Sequence, residues 1–474
     1  MTTEAPPAAT TRAPVAPPTR TRQAPIGPAR AAGAPPKLAR IGGGLILLLG
    51  ALTAVGPFTI DLYLAAFPQI TVDMATQPAA VQLTITATLA GLALGQLLIG
   101  SISDAVGRRR PLLAGLALYI VASLGIVFVT SVEALTALRF VQGFAAAAGM
   151  VLSMAIVRDR FEGIAVGKAM ARLMLVVGVA PSIAPLIGAQ FLRLGSWRYM
   201  FVALALFGVL LLVLASLLLK ESLPQQLRRS GGVGSAVRSY GSLLRDPMFM
   251  GLALLSGFSM GALFTYVSSA TFVFQEGFSL SAQQFALIFA SGAVAITAGT
   301  QINGAMIGRV APEQILRAAV LAALAITGSM VVVTVLGLGI WPLITLLVLN
   351  MLATGILLPA VPVIALEANA HRAGSAAALL GAMQFGVGAV IAPVTGLFPE
   401  GSPVAMAAVM FGATVLTVGL MFATRPAMKA ISEEIVLASS DGRTGPGAVA
   451  GTAADTLAVD TLMVDTLMIE ERVV

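Results

Sequence analysis

The sequence predicts an all-α membrane protein of twelve transmembrane helices in two six-helix pseudo-symmetric halves, and three observations lead to this fold class. The 474 residues are 58% hydrophobic and 10% charged, with a mean hydropathy of +0.94, whereas soluble domains carry about 25% charged residues. The apolar runs reach the roughly 20 residues that cross a bilayer as a helix, and they lack the alternation of a β-barrel. The two halves of the chain also share motifs at a nearly constant offset.

The apolar runs define the predicted spans in order along the chain. The first run is too long, and lies too far from the N-terminus, for a cleaved signal peptide. The chain has no cysteine, so disulfides and thiolate metal sites are excluded and no metal site is expected. The single histidine, His371, lies in a predicted loop. The predicted spans are residues 42–66, 79–102, 111–131, 134–157, 166–192, 197–219, 248–274, 282–306, 313–336, 340–364, 374–398 and 402–423.

Lysine and arginine are distributed unevenly among the predicted loops. The N-terminal tail and the loops on the same side carry most of the net charge of +7, while the opposite loops hold only Arg193 and Arg198. The positive-inside rule then places both termini in the cytoplasm. The basic balance therefore indicates topology and contact with anionic lipid headgroups, and not binding to nucleic acid.

Composition also divides the chain into segments. The C-terminal tail holds a repeat of five residues at 455–469, whose period matches neither a helix nor a strand. We interpret this tail as a low-complexity appendage. The predicted segments are a disordered N-terminal tail at residues 1–40, a first helical bundle at 41–220, a central cytoplasmic loop at 221–247, a second bundle at 248–424 and a cytoplasmic tail at 425–474.

An internal repeat supports the division into two bundles. The segment GVAPSIAPLIG at residues 178–188 resembles GVGAVIAPVTG at residues 386–396, an offset of 208 positions. At that offset, Gln142 in span 4 corresponds to Asn350 in span 10, and Gly100 has a degenerate counterpart at Gly304, an offset of 204 positions. A parallel repeat of this kind is typical of halves that are related by an axis along the membrane normal.

Very few ionisable residues lie inside the predicted spans, and such residues are usually functional. Asp61 lies in span 1 and Arg139 in span 4, each about two helical turns from the predicted outer end of its span. We expect them to face one cavity. Two interpretations remain open: a fixed ion pair between two helices, or a carboxyl group that takes up and releases a proton while Arg139 responds to its charge.

The segment GSISDAVGRRR at residues 100–110 is a short charged loop between spans 2 and 3. Gly100 permits close packing, Gly107 suits a tight turn, and Asp104 is expected to accept hydrogen bonds from a neighbouring helix N-terminus. Arg108 and Arg109 are expected to meet anionic lipid and to hold the loop inside. A loop that only sets topology is the alternative.

Two prolines and two glycines lie close together within span 5. Proline interrupts the hydrogen bonds of a helix, and glycine lets neighbouring helices approach. We expect a hinge or a seal between alternating states, with a purely structural kink as the alternative. The four residues are Gly178, Pro181, Pro185 and Gly188.

These motifs resemble those of the major facilitator superfamily, and in particular the drug:proton antiporters of the bicyclomycin/chloramphenicol-resistance (Bcr/CflA) type. The resemblance covers residues 42–424. It rests on the loop motif at 100–113, the span 4 motif RFVQGFAAAAG, the antiporter motif GVAPSIAPLIGAQF, and segments of spans 1, 7 and 11. One departure is Ala65, where the family often has proline, so the bend of span 1 is expected to differ. Another is the neutral region around Thr53, where some relatives carry a second acidic residue; its absence here bears on the handling of dicationic substrates.

The resemblance implies secondary active export of hydrophobic antibiotic-like molecules from the cytoplasm across a bacterial inner membrane. The proton gradient would supply the energy, with no cofactor and no enzymatic activity. It implies that Asp61 is a site of protonation or substrate competition, and that Asp104 helps to hold the cytoplasmic side closed. An exporter or importer of a specific native metabolite is one alternative, and a receptor or scaffold with the same fold is another.

The expected partners are a drug-like small molecule, protons and the lipid bilayer, with the chain acting as a monomer. A central cavity between the halves should be mostly apolar with a few polar groups. Each candidate contact has helix–helix hydrogen bonding or packing as its alternative. The candidate substrate contacts are Asp61, Tyr63, Gln82, Gln142, Tyr266, Asn350, Gln384 and Phe385.

Overall fold

The computed structural model describes residues 43–162, 164–228, 232–306, 309–369, 372–399 and 401–440. Within these ranges all regular structure is helical, and twelve helical segments are long and apolar enough to cross a membrane. The predicted fold class is therefore confirmed. The predicted N-terminal tail, His371 and the five-residue repeat lie outside the described residues.

The helices follow the predicted spans in order. α1 and α2 together form span 1, α3 to α7 form spans 2 to 6, and α9 to α14 form spans 7 to 12. The helices are α1 (Gly43–Asp61), α2 (Phe67–Asp73), α3 (Pro78–Val106), α4 (Arg109–Val127), α5 (Val132–Arg160), α6 (Ile164–Arg193), α7 (Arg198–Leu218), α8 (Gly232–Leu244), α9 (Pro247–Thr271), α10 (Ala282–Met306), α11 (Pro312–Val335), α12 (Ile340–Glu367), α13 (Ala373–Ile391) and α14 (Pro403–Ser440).

Three boundaries differ from the sequence prediction. Span 1 does not end at residue 66, because after a break it continues as α2 to Asp73. The central segment, predicted as a loop at residues 221–247, contains the helix α8. The last helix continues to Ser440, beyond the predicted start of the C-terminal tail at residue 425.

Close helix pairs form the scaffold of each half, and glycines bring their backbones together. α3 packs along α5, and α10 packs along α12. A Cβ atom on Gly91 of α3 or on Gly143 of α5 would collide with a backbone carbonyl of the other helix. In the second half, a Cβ atom on Gly299 of α10 or on Gly355 of α12 would likewise collide with a backbone carbonyl of the partner helix. Since Gly91 and Gly299 are 208 positions apart, the predicted repeat is visible as matching helix contacts.

The two halves meet along α3 and α13 and along α6 and α10. We call the end of the bundle with the loop at residues 100–110 the basic end, and the end with Asp73 and Arg198 the opposite end. A cavity of about 560 Å³ lies at the basic end, lined by α3, α5, α8 and α13. At the opposite end the halves are in contact, since Gly396 packs against Ala79.

The glycine contacts predict the effect of adding a single methyl group. We expect Gly143→Ala to lower stability by about 1–3 kcal/mol, because its Cβ would strike the backbone of Thr88. Gly412→Ala on α14 is the matched control, since nothing lies within 4 Å of its Cβ position, and it should be neutral or stabilising by up to about 1 kcal/mol. Thermal unfolding of the purified protein measures the stability of both variants. Equal melting temperatures for the two variants would contradict the close contact between Gly143 and the backbone of Thr88.

Candidate functional site

The first span breaks directly after Asp61, the last residue of α1. The chain then forms two turn residues and a short 3-10 helix, Leu64–Ala66, before α2 begins. Pro68 contributes to the break, because proline has no N–H and its ring clashes with the carbonyl four residues earlier, here Leu64. The span therefore bends although Ala65 replaces the proline that is often found in the resembling family.

The break places Asp61 deep in the bundle. Asp73, where span 1 ends at the opposite end of the bundle, lies twelve positions after Asp61, or about 18 Å along a helix. The expectation that Asp61 lies two turns from that end is therefore wrong. Its side chain is only 5% exposed, and among the described residues it has no hydrogen-bond or ion-pair partner.

The break that follows Asp61 contacts α9 and α10 of the second half. Tyr266 of α9 lies near Asp61, and its ring stacks on Phe289 of α10 with centroids 5.4 Å apart. The Tyr266 hydroxyl lies beside Gly292, 3.6 Å from where a Cβ would be. An acidic group thus meets a stacked aromatic pair at the junction of α1, α9 and α10.

Arg139 of α5 is fully buried and points at the other face of span 1. Its Nη2 donates to the Thr59 carbonyl at 2.8 Å, and its guanidinium lies 4.0 Å from the centroid of the Tyr63 ring. The last carbonyls of a helix lack partners within that helix, and a cation is stabilised at this end. Arg139 therefore caps α1 at its break.

A ring of buried polar groups fixes Arg139 in this position. Its Nη1 donates to Gln142 Oε1 at 2.6 Å, and Gln142 Nε2 donates to Ser123 at 2.8 Å. Ser123 donates to the carbonyl of Tyr119, and the Tyr119 hydroxyl is 2.9 Å from Thr59 Oγ1. The network returns to α1 at the residue that Arg139 caps, so α1, α4 and α5 are joined around one cation.

Asp61 and Arg139 therefore do not face one cavity, and no ion pair joins them. Residues two positions apart on a helix point about 200° away from each other. Thr59, which contacts Arg139, thus lies on the face of α1 opposite Asp61. The two side chains have no direct contact, and the connection between them runs through the backbone of α1.

The proline- and glycine-rich motif of span 5 lies against the same break. Pro181 and Pro185 are inside α6. A Cβ on Gly188 would collide with the carbonyl of Leu62, so the glycine allows α6 to touch the break, while Thr297 of α10 donates to the Gly178 carbonyl at 3.1 Å. Both glycines lie at contacts between helices. Of the two expected roles, a seal between helices fits this position better than a hinge does.

The remaining candidate substrate contacts divide by their surroundings. Tyr63 and Gln142 are fully buried around Arg139, so here they support the break and line neither described cavity. Gln82 lines a cavity of about 140 Å³ at the opposite end. The others are buried or half-buried in the second half: Asn350 on α12, Gln384, which donates to Ser256 at 2.7 Å, and Phe385, which packs on Phe264.

At the basic end, Arg108 organises the loop motif. It contacts Asp104 at 2.5 Å and Asp159 of α5 at 3.1 Å, while Gly107 ends α3 with a φ of 98°. Asp104 does not accept bonds from a neighbouring helix N-terminus, because Arg108 occupies its carboxylate. Arg109 donates to the carbonyls of Leu219 and Ser216, so Arg108 and Arg109 both bind groups of the protein.

The acceptor at the helix N-terminus is Glu221, which the sequence analysis missed. Its carboxylate accepts the backbone N–H groups of Arg108 at 2.7 Å and Arg109 at 3.2 Å. Partial burial on its own raises the pKa of Glu221, but four backbone N–H groups together lower the pKa below its ordinary value. The sequence analysis also missed Asp159. The available signal was the position of both acidic residues, since each stands next to a basic residue at the end of a predicted span.

No group of three or more His, Cys, Asp or Glu side chains that could hold a metal ion occurs in the part of the chain that the structure describes. The site is a bent, polar junction inside twelve helices of membrane-spanning length, with Asp61 at the break and Arg139 fixed within the first half. Such an arrangement is typical of a multi-pass membrane carrier.

Comparison with known proteins identifies the family. The model of the Major Facilitator Superfamily matches residues 47–393, and the chain belongs to this transporter superfamily. The uncharacterized MFS-type transporter YdgK of Bacillus subtilis is 40% identical over 374 residues, covering 78% of this chain and 93% of YdgK. The bicyclomycin resistance protein homolog of Haemophilus influenzae is 31% identical over 347 residues, covering 73% and 87%.

A solved structure shares the fold. The crystal structure of a D-xylose-proton symporter superimposes with a TM-score of 0.65 at 14% identity, covering 79% of this chain and 97% of the symporter. At this identity the likeness concerns the architecture alone.

The hydrogen bonds of Glu221 predict how the stability of the protein depends on pH. Because the folded pKa of Glu221 is lowered, its ionised form stabilises the fold above the unfolded pKa of about 4.3, and this contribution is lost as the pH falls through the folded pKa. We expect Glu221→Gln to lower the melting temperature at neutral pH, with a deficit that shrinks on acidification. Glu133→Gln, at an exposed glutamate, is the control, and a deficit that is independent of pH would refute the assignment.

Proposed function

We propose that the protein is a proton-coupled multidrug exporter of the Bcr/CflA type, which carries hydrophobic antibiotic-like molecules by alternating access. The observation that carries this proposal is Asp61, a buried carboxyl without a partner at the break of span 1, between two halves that have to move. The relative that is named a bicyclomycin resistance protein homolog supports the drug-efflux part.

The environment of Asp61 gives a physical route to coupling. Burying an ionised carboxylate without a partner is costly, and a neutral carboxyl costs much less. Closure around Asp61 therefore favours the protonated group, and opening to water favours the ionised one. A proton taken up on one side and released on the other would then be linked to the movement of the halves.

Tyr266 and Phe289 supply a surface for the substrate beside this carboxyl. Both rings are buried in this structure and line neither described cavity, so a substrate would reach them when the halves move apart. Stacked rings then offer a large apolar area with one hydroxyl, which suits flat, hydrophobic molecules better than sugars. A substrate on this surface would compete with the proton for Asp61 if it is cationic, or would displace water around it if it is neutral.

Arg139 serves as the fixed counterpart of this site. Its bonds to Thr59 and Gln142 hold the break, so a change of charge at Asp61 acts on Arg139 through two residues of α1. Proton coupling then needs one titrating carboxyl in the first half, since Ser269 and Leu347 stand at the positions that the repeat relates to Asp61 and Arg139.

The orientation belongs to the same proposal. The basic end would face the cytoplasm with both termini, in a bacterial inner membrane, and the protein would act as a monomer without a cofactor or an enzymatic activity. The driving force is adequate, because one charge moved through about 100 mV gives roughly 2.3 kcal/mol and one pH unit adds about 1.4 kcal/mol.

Removal of the Asp61 charge tests the proposal. In everted vesicles with an imposed pH gradient, the wild type should accumulate a hydrophobic antibiotic to which it gives resistance, and Asp61→Asn should lose the response to the gradient. Glu133→Gln removes an exposed carboxyl of α5 and should behave as the wild type. Export by Asp61→Asn with full pH dependence would refute the role of Asp61, and transport of a single metabolite without drugs would favour a specific carrier.

A further inference from the structure

The break of span 1 weakens the helical bonding of backbone carbonyls inside the membrane. The Leu64 carbonyl keeps a 3-10 bond from the Phe67 N–H, but neither Leu64 nor Ala65 can receive an N–H from residue 68, because Pro68 has none. Exposed backbone groups are very unfavourable where no water can reach them. Other donors are therefore needed at the break, whatever the transported substrate is.

Two side chains of span 7 supply these donors. Thr271 Oγ1 donates to the Leu64 carbonyl at 3.0 Å, and Gln275 Nε2 donates to the Ala65 carbonyl at 3.1 Å. Thr271 is fully buried at the end of α9. Gln275 lies in a π-helical segment, Phe272–Gly277, a local distortion that is frequent at functional sites.

The outer part of span 1 is attached to the first half of the bundle. Gln69 Nε2 donates to the Gly195 carbonyl at 2.7 Å, and Gln69 Oε1 accepts the N–H of Trp197 at 3.0 Å. Asp73 accepts the indole N–H of Trp197 at 2.9 Å and pairs with Arg198 at 3.3 Å. The bonds from Thr271 and Gln275 therefore bridge the two halves and do not lie within one of them.

We propose that Thr271 and Gln275 are positioning residues that fasten the break beside Asp61 to the second half whenever the opposite end of the bundle is closed. Opening of that end separates α9 from span 1 and breaks both bonds. Their strength thus sets the balance between closed and open forms at the opposite end, and it fixes the backbone that follows Asp61. The inference deepens the proposed transport function and rests on its alternating access.

Neighbouring hydroxyl groups on α9 show that this bonding is specific. Thr265 Oγ1 donates to the Gly261 carbonyl at 2.8 Å, and Ser269 Oγ donates to the Thr265 carbonyl at 2.6 Å, both within α9. Thr265 is fully buried like Thr271. Thr265→Val is therefore a matched control that removes the same hydroxyl group without touching span 1.

The absence of cysteine from the sequence makes the test direct. Ser269→Cys places a thiol in the cavity at the opposite end, and Ser375→Cys places one in the cavity at the basic end. The rate at which a water-soluble maleimide labels each thiol in purified protein reports how often that end is open. The assay needs neither substrate nor a proton gradient.

Each lost bond should shift the labelling rates in opposite directions at the two ends. A net hydrogen bond of about 1 kcal/mol corresponds to about fivefold, so Thr271→Val or Gln275→Met should raise labelling of Ser269→Cys by about fivefold and lower that of Ser375→Cys. Thr271→Ser, which keeps the hydroxyl, should restore the original rates, and Thr265→Val should leave them unchanged.

Two results would overturn the inference. Unchanged labelling in the Thr271→Val, Gln275→Met double variant would mean that the bonds do not control opening. Faster labelling at both ends would mean that these residues only support the fold. Since labelling does not depend on Asp61 chemistry, the reciprocal shift can occur even if Asp61→Asn retains pH-dependent export, so failure of this inference and failure of the proposed function are distinguishable.

Discussion

The rest of the site depends on the interruption of span 1 between Asp61 and Phe67. Pro68 favours the interruption, and the membrane interior requires every exposed carbonyl to find a donor. Arg139 of the first half donates a hydrogen bond to the Thr59 carbonyl, and Thr271 of the second half donates one to the Leu64 carbonyl. The break is thus the point at which both halves are attached to one short stretch of backbone, and Asp61 lies at its edge.

The two ends of the bundle are built differently around this point. At the opposite end, neutral hydrogen bonds join the halves, and each contributes only about 1 kcal/mol, which suits an interface that opens. At the basic end, Arg108 and Glu221 organise charged contacts inside the first half, next to a cavity between the halves. These charged contacts therefore join the loop motif to the other helices of the first half.

Much of this architecture could be predicted from the sequence, because a bilayer demands long apolar helices and the glycine and proline motifs recur at fixed offsets. The depth of Asp61 could not be predicted. The hydrophobicity of the sequence does not show whether span 1 ends near Pro68 or, as the structure has it, continues past Pro68 as α2. The partners of Arg139 were also hidden, because Thr59 and Tyr119 are ordinary residues whose proximity arises only from packing. Glu221 was overlooked because it lies 113 positions from Arg108 in the sequence.

The central claim is that substrate and proton are exchanged at Asp61, and proton release on binding measures this most directly. Purified protein in weakly buffered detergent would be titrated with a hydrophobic antibiotic to which the wild type gives resistance, while a pH indicator records released protons. We predict proton release by the wild type and by Glu133→Gln, and none by Asp61→Asn even where the antibiotic still binds. Equal release by Asp61→Asn, or binding to the wild type without release, would contradict the account.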